Sequence, residues 1–178
     1  MAARQEKNVI RPLTAGDCSA AAKFVAKTGR WTWERYLKKT YPKEALEFDI
    51  RNHSYENLAQ EIKDPEFFGF LASTGDDITG LVLGRVFGKS GFGVVNWITV
   101  DPEHQHEGIG IALMTAVEEH LRKTGGHKIS LYALPALQPA IKLYMKFGLL
   151  PEAFLKQQWW GVDFLQMSKW IGKYGSKK

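Results

Sequence analysis

The segment Val100-Asp101-Pro102-Glu103-His104-Gln105-His106-Glu107-Gly108-Ile109-Gly110 leaves an apolar run and leads directly into an amphipathic one. This junction constrains the fold more than any other stretch, because it fixes a strand, a tight loop and a helix in that order. Gln105, Gly108 and Gly110 form a Gln-x-x-Gly-x-Gly pattern, and glycine lets a backbone turn sharply and approach a ligand with no Cβ in the way. The first amides of the helix have no internal partner, so with the positive end of the helix dipole they can hold pyrophosphate. Taken alone, the loop also fits an ordinary helix start or a fragment of a dinucleotide fingerprint.

A second motif decides between these readings. Ala140-Ile141-Lys142-Leu143-Tyr144-Met145-Lys146-Phe147-Gly148-Leu149 follows about thirty residues later. Together the pair resembles the GNAT superfamily of acetyl-CoA-dependent N-acetyltransferases, whose loop reads Arg/Gln-x-x-Gly-x-Gly/Ala and whose later helix reads Ala-x-x-Leu-Tyr-x-x-x-Gly-Phe. The match spans roughly residues 68 to 155.

A chain of 178 residues suits one well-buried core, so residues 1 to 178 are expected to form a single domain. The N-terminus is polar and no apolar run approaches the roughly 18 residues of a membrane span, so a cytoplasmic protein without membrane contact is expected. Cys18 is the single cysteine, which excludes an internal disulfide, and no Cys/His cluster has zinc spacing, so no metal is expected. Of the formal charge of +5, residues 169 to 178 hold Lys169, Lys173, Lys177 and Lys178 and no acid. The rest is nearly neutral, so these residues read as a flexible basic tail and nucleic-acid binding ranks last.

The patterning gives a strand over residues 8 to 13 and a helix over 19 to 27 introduced by Thr14 and Asp17. Helical pieces follow over residues 31 to 40 and 55 to 63, the second capped by Ser54. Residues 67 to 73 and 78 to 87 read as antiparallel strands, and residues 93 to 100 as a central strand apolar on both faces. Ile109, Leu113, Ala116, Val117, His120 and Leu121 recur at helical spacing up to Gly125-Gly126. A strand over residues 128 to 133, a helix over 138 to 147 and strands over 155 to 159 and 162 to 170 close the chain. The order gives an α/β fold with a mixed, mostly antiparallel sheet and flanking helices. The resemblance adds a central parallel pair that splays to admit a pantetheine arm.

The same resemblance implies the chemistry. The backbone N–H of Ile98 would stabilise the oxyanion, and Tyr144 would protonate the leaving thiolate. Tyr144 also lies three residues from Ile141, where it could pack as a core aromatic. Acetyl-CoA would be held along Ile98, Val100, Gln105, His106, Glu107, Gly108, Ile109, Gly110, Ile111 and Tyr144. The resemblance thins at the general base: the positions where relatives carry glutamate hold Val94 and Tyr132, and the frequent asparagine before the second motif is Leu137. A lysine-like amine has a pKa near about 10.4 and must lose a proton before attack. Glu34, Asp49, His53 and Glu103 are the remaining candidates for taking it.

The resemblance implies that the segment between the first two helices and the final hairpin frames the acceptor; Trp31, Trp33, Tyr36, Trp97, Trp159 and Trp160 are the aromatic candidates to line it, or else fill the core. Adjacent strand residues point to opposite faces, so one of Trp159 and Trp160 would line a pocket. Residues 28 to 66 hold seven Lys/Arg and eight Asp/Glu, which predicts no strong field of either sign. Acceptors suited to a neutral aromatic cleft are a peptide N-terminus, an amino acid, or a small aryl or alkyl amine. Direct transfer in a ternary complex is expected, Cys18 being far from both motifs. The competing reading is an acetyl-CoA-binding module or sensor without efficient catalysis. An exposed final hairpin rich in Trp159, Trp160, Phe164 and Trp170 would suit a homodimer.

Overall fold

The computed structural model of the chain describes residues 8 to 173. Strand β1 (Val9–Pro12) leads into α1 (Cys18–Thr32), which continues as a π-helical stretch at Trp33–Leu37. Helices α2 (Lys43–Asn52) and α3 (Tyr55–Glu61) precede strands β2 (Phe67–Thr74), β3 (Asp77–Phe87) and β4 (Phe92–Val100). Then come α4 (Ile109–Lys123), β5 (Lys128–Ala133), α5 (Gln138–Phe147), β6 (Leu150–Trp159) and β7 (Val162–Trp170). The strands form one sheet in the order β1-β2-β3-β4-β5-β7-β6. Only the β4–β5 pair is parallel, so the sheet is mixed and mostly antiparallel.

Side-chain alternation in the central strands decides which helix packs where. Phe68, Ala72 and Val82 face α4, meeting Leu113, Met114, Val117 and Leu121 in the largest core cluster. Leu71, Leu81 and Leu83 point the other way and meet Ala21, Val25 and Leu58 of α1 and α3. Each fully buried leucine contributes roughly 1.5–3 kcal/mol relative to exposure. A third cluster joins Leu37, Tyr41, Ala45 and Leu46 to Phe164, fixing α2 against the final hairpin.

Two irregularities in β4 open the sheet. Leu83 pairs with Trp97 and Gly84 with Val95, so Asn96 is an extra residue and the strand bulges there. Pairing with β5 joins Phe92–Val95 to Lys128–Leu131 and stops. Beyond Val95 the parallel strands part, which is the splayed pair that the family resemblance implied.

The start of α1 follows the sequence signal. The Thr14 amide and hydroxyl both donate to Asp17, at 2.8 and 2.6 Å, and Arg11 grips the same carboxylate with two bonds of 2.7 Å. Elsewhere the expectations need correcting. Residues 31 to 37 extend α1 rather than forming a separate helix: Gly29 does not end it but is buried within it, against the Trp97 ring, where a Cβ would sit 3.3 Å away. The helix α2 was not foreseen; its core-facing side is narrow, with Ala45 and Leu46 its buried residues. The strand β6 starts at Leu150 instead of residue 155, since Pro151 is tolerated on an edge strand. Lys169 belongs to β7, where it pairs with Glu118 at 2.6 Å and lies 4.1 Å from the Phe147 ring centroid, so it is no part of a flexible tail. The end of that tail, residues 174 to 178, lies outside the described residues. Among the described residues no helix is long and apolar enough to cross a membrane, and no group of three or more His, Cys, Asp or Glu could hold a metal.

Candidate active site

The chain leaving β4 is shaped before it reaches α4. The Asp101 carboxylate accepts from the Glu103 amide at 3.1 Å and from Lys27 at 2.7 Å, anchoring a short 3-10 turn at Pro102–His104. Burial tends to raise the Asp101 pKa, but the Lys27 ammonium and the Glu103 amide bring it below the ordinary carboxylate value. His106 and Gly108 then adopt left-handed backbone, with φ of 69° and 85°. The first hydrogen bond closing on this loop runs from the Ala112 amide to the Gly108 carbonyl at 3.0 Å, which leaves the amides of Ile109, Gly110 and Ile111 for a ligand.

The two loop glycines have different reasons. A Cβ on Gly108 would meet nothing within 4 Å, so this position is glycine for its positive φ. A Cβ on Gly110 would lie 2.9 Å from Leu143, so this glycine lets α4 and α5 pack closely beside the loop.

A cavity of about 590 Å³ opens over this helix end. Gln105, His106 and the first residues of α4 form one wall; Ile98 and Val100 of β4 and Leu143 and Tyr144 of α5 form the others. Lys142 and Lys146, one turn apart on α5, also line it and bring positive charge to its wall. The open left-handed glycine, unpaired helix amides, two lysines and apolar strand residues make a donor set that fits an acyl-carrying pyrophosphate cofactor such as acetyl-CoA.

A second cavity of about 790 Å³ lies on the other side of the splay, framed by α2, α3 and the β6–β7 hairpin. Ile98, Thr99, Leu137 and Tyr144 belong to both cavities. The bulged strand and Tyr144 therefore stand where the two spaces meet. Burial pushes the Tyr144 phenol above its ordinary value, so it stays protonated at neutral pH.

The second cavity contains titratable groups suited to taking a proton. His53 Nδ1 donates to the main-chain carbonyl of Asp49 at 2.7 Å, and its ring lies 5.0 Å from that of Trp97. Burial lowers the His53 pKa, keeping the imidazole neutral. Asp49 is raised by burial, partly opposed by the Tyr41 hydroxyl donating to it at 2.7 Å. Glu61 is also raised by burial, against the opposing pull of Arg85.

Of the residues expected to hold the cofactor, all line the first cavity except Glu107. Its carboxylate is turned away, accepting from Asn8 Nδ2 at 3.3 Å and lying 3.3 Å from His104 Nδ1. Asp49 and His53 line the second cavity, whereas Glu34 pairs with Lys38 at 2.6 Å on the surface and Glu103 is exposed and lines neither. Trp97, Trp159 and Trp160 reach the acceptor side. Trp31 and Tyr36 line the donor side instead, and Trp33 lines neither, donating from Nε1 to the Tyr41 carbonyl at 2.8 Å. Cys18 is buried away from both.

Sequence reasoning missed Lys142, Lys146 and Glu61. The lysine pair was legible as an i, i+4 spacing on the Tyr144 helix, but Glu61 carried no local signal.

Comparison with known proteins agrees with this geometry. The family model described as the acetyltransferase (GNAT) family matches residues 29–149. The N-terminal acetyltransferase B complex catalytic subunit of Arabidopsis thaliana is 28% identical over 118 residues, covering 64% of this chain and 68% of that one. The PaiA N-acetyltransferase of Thermoplasma acidophilum, solved in complex with coenzyme A, superposes with a TM-score of 0.76 at 22% identity, covering 92% of this chain and 99% of that one. Nourseothricin acetyltransferase gives a TM-score of 0.58 at 29% identity, covering 61% of this chain and 67% of that one.

Proposed function

Because the chain belongs to the acetyltransferase (GNAT) family and is thus an acyltransferase, we propose that it moves an acetyl group from acetyl-CoA directly to an amine in a ternary complex. The observation that carries this reading is that Ile98 and Tyr144 line both cavities, so a donor and an acceptor can meet at one point. Acetyl-CoA supplies the thioester carbonyl and, after transfer, the leaving thiolate.

The protein's own groups divide the work. The amides of Ile109, Gly110 and Ile111, with Gln105, Lys142 and Lys146, hold the phosphates. The Ile98 N–H, at the splayed strand, meets the carbonyl oxygen as it gains charge; losing such a donor typically costs about 2.7–4 kcal/mol of barrier. His53 Nε2 takes the proton from the amine as its nitrogen bonds to the carbonyl carbon. As the carbon–sulfur bond breaks, Tyr144 gives its proton to the sulfur, whose basicity is near that of a cysteine thiolate with a pKa of about 8.5. Exchange with solvent returns both side chains to neutrality. Cys18 is buried away from both cavities, its thiol pushed up by that burial, which favours direct transfer over a covalent enzyme intermediate.

The reading as a binding module rests on the carboxylates missing at Val94 and Tyr132. His53 and Asp49 offer that function from α2 and its C-terminal end, so their position favours catalysis. Thiol release from acetyl-CoA against three pools of amines tests this: peptides with free N-termini, polyamines and aminoglycosides, and amino acids with small aryl amines. Release above background with one pool supports transfer. Background release with all three, from protein that binds acetyl-CoA, would return the binding module.

A further inference from the structure

The charge of the acceptor cavity differs from that of the segment that builds it. Residues 28 to 66 carry nearly balanced charge, yet among the described residues no lysine or arginine lines the cavity. Arg30 pairs with Glu47 at 3.1 Å outside the cavity, while Asp49 and Glu61 line it, Glu61 lying 3.9 Å from Arg85, which does not. The carboxylates come from α2 and α3, and none lines the hairpin end.

That hairpin end is aromatic. Tyr132 and Trp159 meet edge to face at 5.1 Å, Trp159 and Phe164 likewise at 5.1 Å, and Trp160 reaches Phe48 of α2 at 5.6 Å. The turn itself shows that the Trp160 ring is held there against local preference. Trp160 and Gly161 have φ of 56° and 67°, the signs of a two-residue type I′ turn, whose first position favours Asn, Asp or Gly. A bulky residue in left-handed backbone is unfavourable, and such strain gathers at ligand-binding positions.

Resting on the transfer reading above, we propose that the acceptor is a primary monoamine on a flat aromatic body, an arylalkylamine. Its amine lies toward His53 and Asp49 and its ring among Trp159, Trp160 and Phe48. A polyamine gains less there, because its second ammonium would reach an end of the cavity that no carboxylate lines among the described residues. The Phe48–Trp160 contact joins α2 to the hairpin at this end, which leaves less room for a peptide chain than for a single ring.

The test is binding, read by calorimetry on protein saturated with coenzyme A, with 2-phenylethylamine, n-butylamine, spermidine and a tetrapeptide bearing a free N-terminus. The expected result is a Kd for 2-phenylethylamine at least tenfold below the other three. Trp160→Asn, which suits the turn and so preserves the hairpin, should raise that Kd at least fivefold. Equal or tighter binding of spermidine, butylamine or the peptide overturns the proposal, as does a Kd unmoved by Trp160→Asn. Thiol release with acetyl-CoA separates the two readings. Selective arylalkylamine binding with background release leaves the acceptor class standing and overturns transfer, whereas release with spermidine or peptide alone does the reverse.

Discussion

The Nδ1 of His53 lies 2.7 Å from the main-chain carbonyl oxygen of Asp49, one helical turn earlier. A carbonyl can only accept, so Nδ1 carries a proton; burial lowers the His53 pKa against the opposing effect of this bond, so Nε2 keeps its lone pair at neutral pH. A residue just past the end of α2 thereby presents a neutral imidazole on the wall of the second cavity, where the transfer reading uses it as the base.

The pH dependence of kcat should report this base. Burial lowers the His53 pKa, so the acid limb should fall below the ordinary histidine value of about 6.5. His53→Gln should lower kcat by roughly 10²- to 10⁴-fold and abolish that limb. A limb that survives the substitution would assign the proton to another group. The same shift acts on stability: the unfolded chain protonates first, so His53 disfavours the fold as pH drops below about 6.5, and His53→Gln should flatten that part of the Tm profile.

Tyr144→Phe removes the phenol and keeps the ring. Turnover should fall about a hundredfold or more while the Kd for acetyl-CoA stays within about twofold, as measured by single-turnover kinetics and calorimetry. Unchanged turnover would leave Tyr144 as a packing residue only.

The two loop glycines should respond differently. Gly108→Ala places a Cβ at φ 85° without a clash, costing roughly 1–2 kcal/mol of stability and weakening coenzyme A binding by reorienting the loop amides. Gly110→Val drives a larger side chain into Leu143, so its dominant effect should be a lower Tm from separating α4 and α5. Thermal unfolding and coenzyme A titration on both variants distinguish the two causes; equal losses in both readouts would refute it.

The Arg11–Asp17 pair should set part of the acid stability. Hydrogen bonds from Arg11 hold Asp17 well below the usual carboxylate range, against burial, with help from Thr14. Its contribution is therefore present above the unfolded value of about 3.9 and is lost as pH falls through the folded one. Arg11 is 42% exposed and screened, so Asp17→Asn should cost only about 1 kcal/mol at pH 7. The gap from wild type should narrow once pH falls below about 3.9 and go on narrowing down to the folded value; a constant gap would deny the carboxylate this role.

The helix start at Thr14 and Asp17, the Ser54 cap and the amphipathic run from Ile109 were all legible because caps and periodicity act within a turn or two of chain. The strand bulge at Asn96 and the splay beyond Val95 were expected only through the family resemblance and had no local signal, since both arise from two strands competing for one backbone. Glu107 looked like part of the cradle by adjacency, yet its carboxylate turned to Asn8, a partner distant in sequence.

Local sequence determined the order of elements and the loop that ends at Gly108 and Gly110, because backbone sterics and hydrogen-bond caps depend on neighbouring residues. It also placed Tyr144 on its helix. Only the tertiary structure decided that Tyr144 and Ile98 stand where two cavities meet, with His53 on the wall of one of them, and that Asp49 and Glu61 line that cavity while the lysines and arginines of the same segment do not. Those outcomes depend on which faces of α2, α3 and α5 are buried against the splayed sheet, and that burial is set by packing between residues remote in the chain.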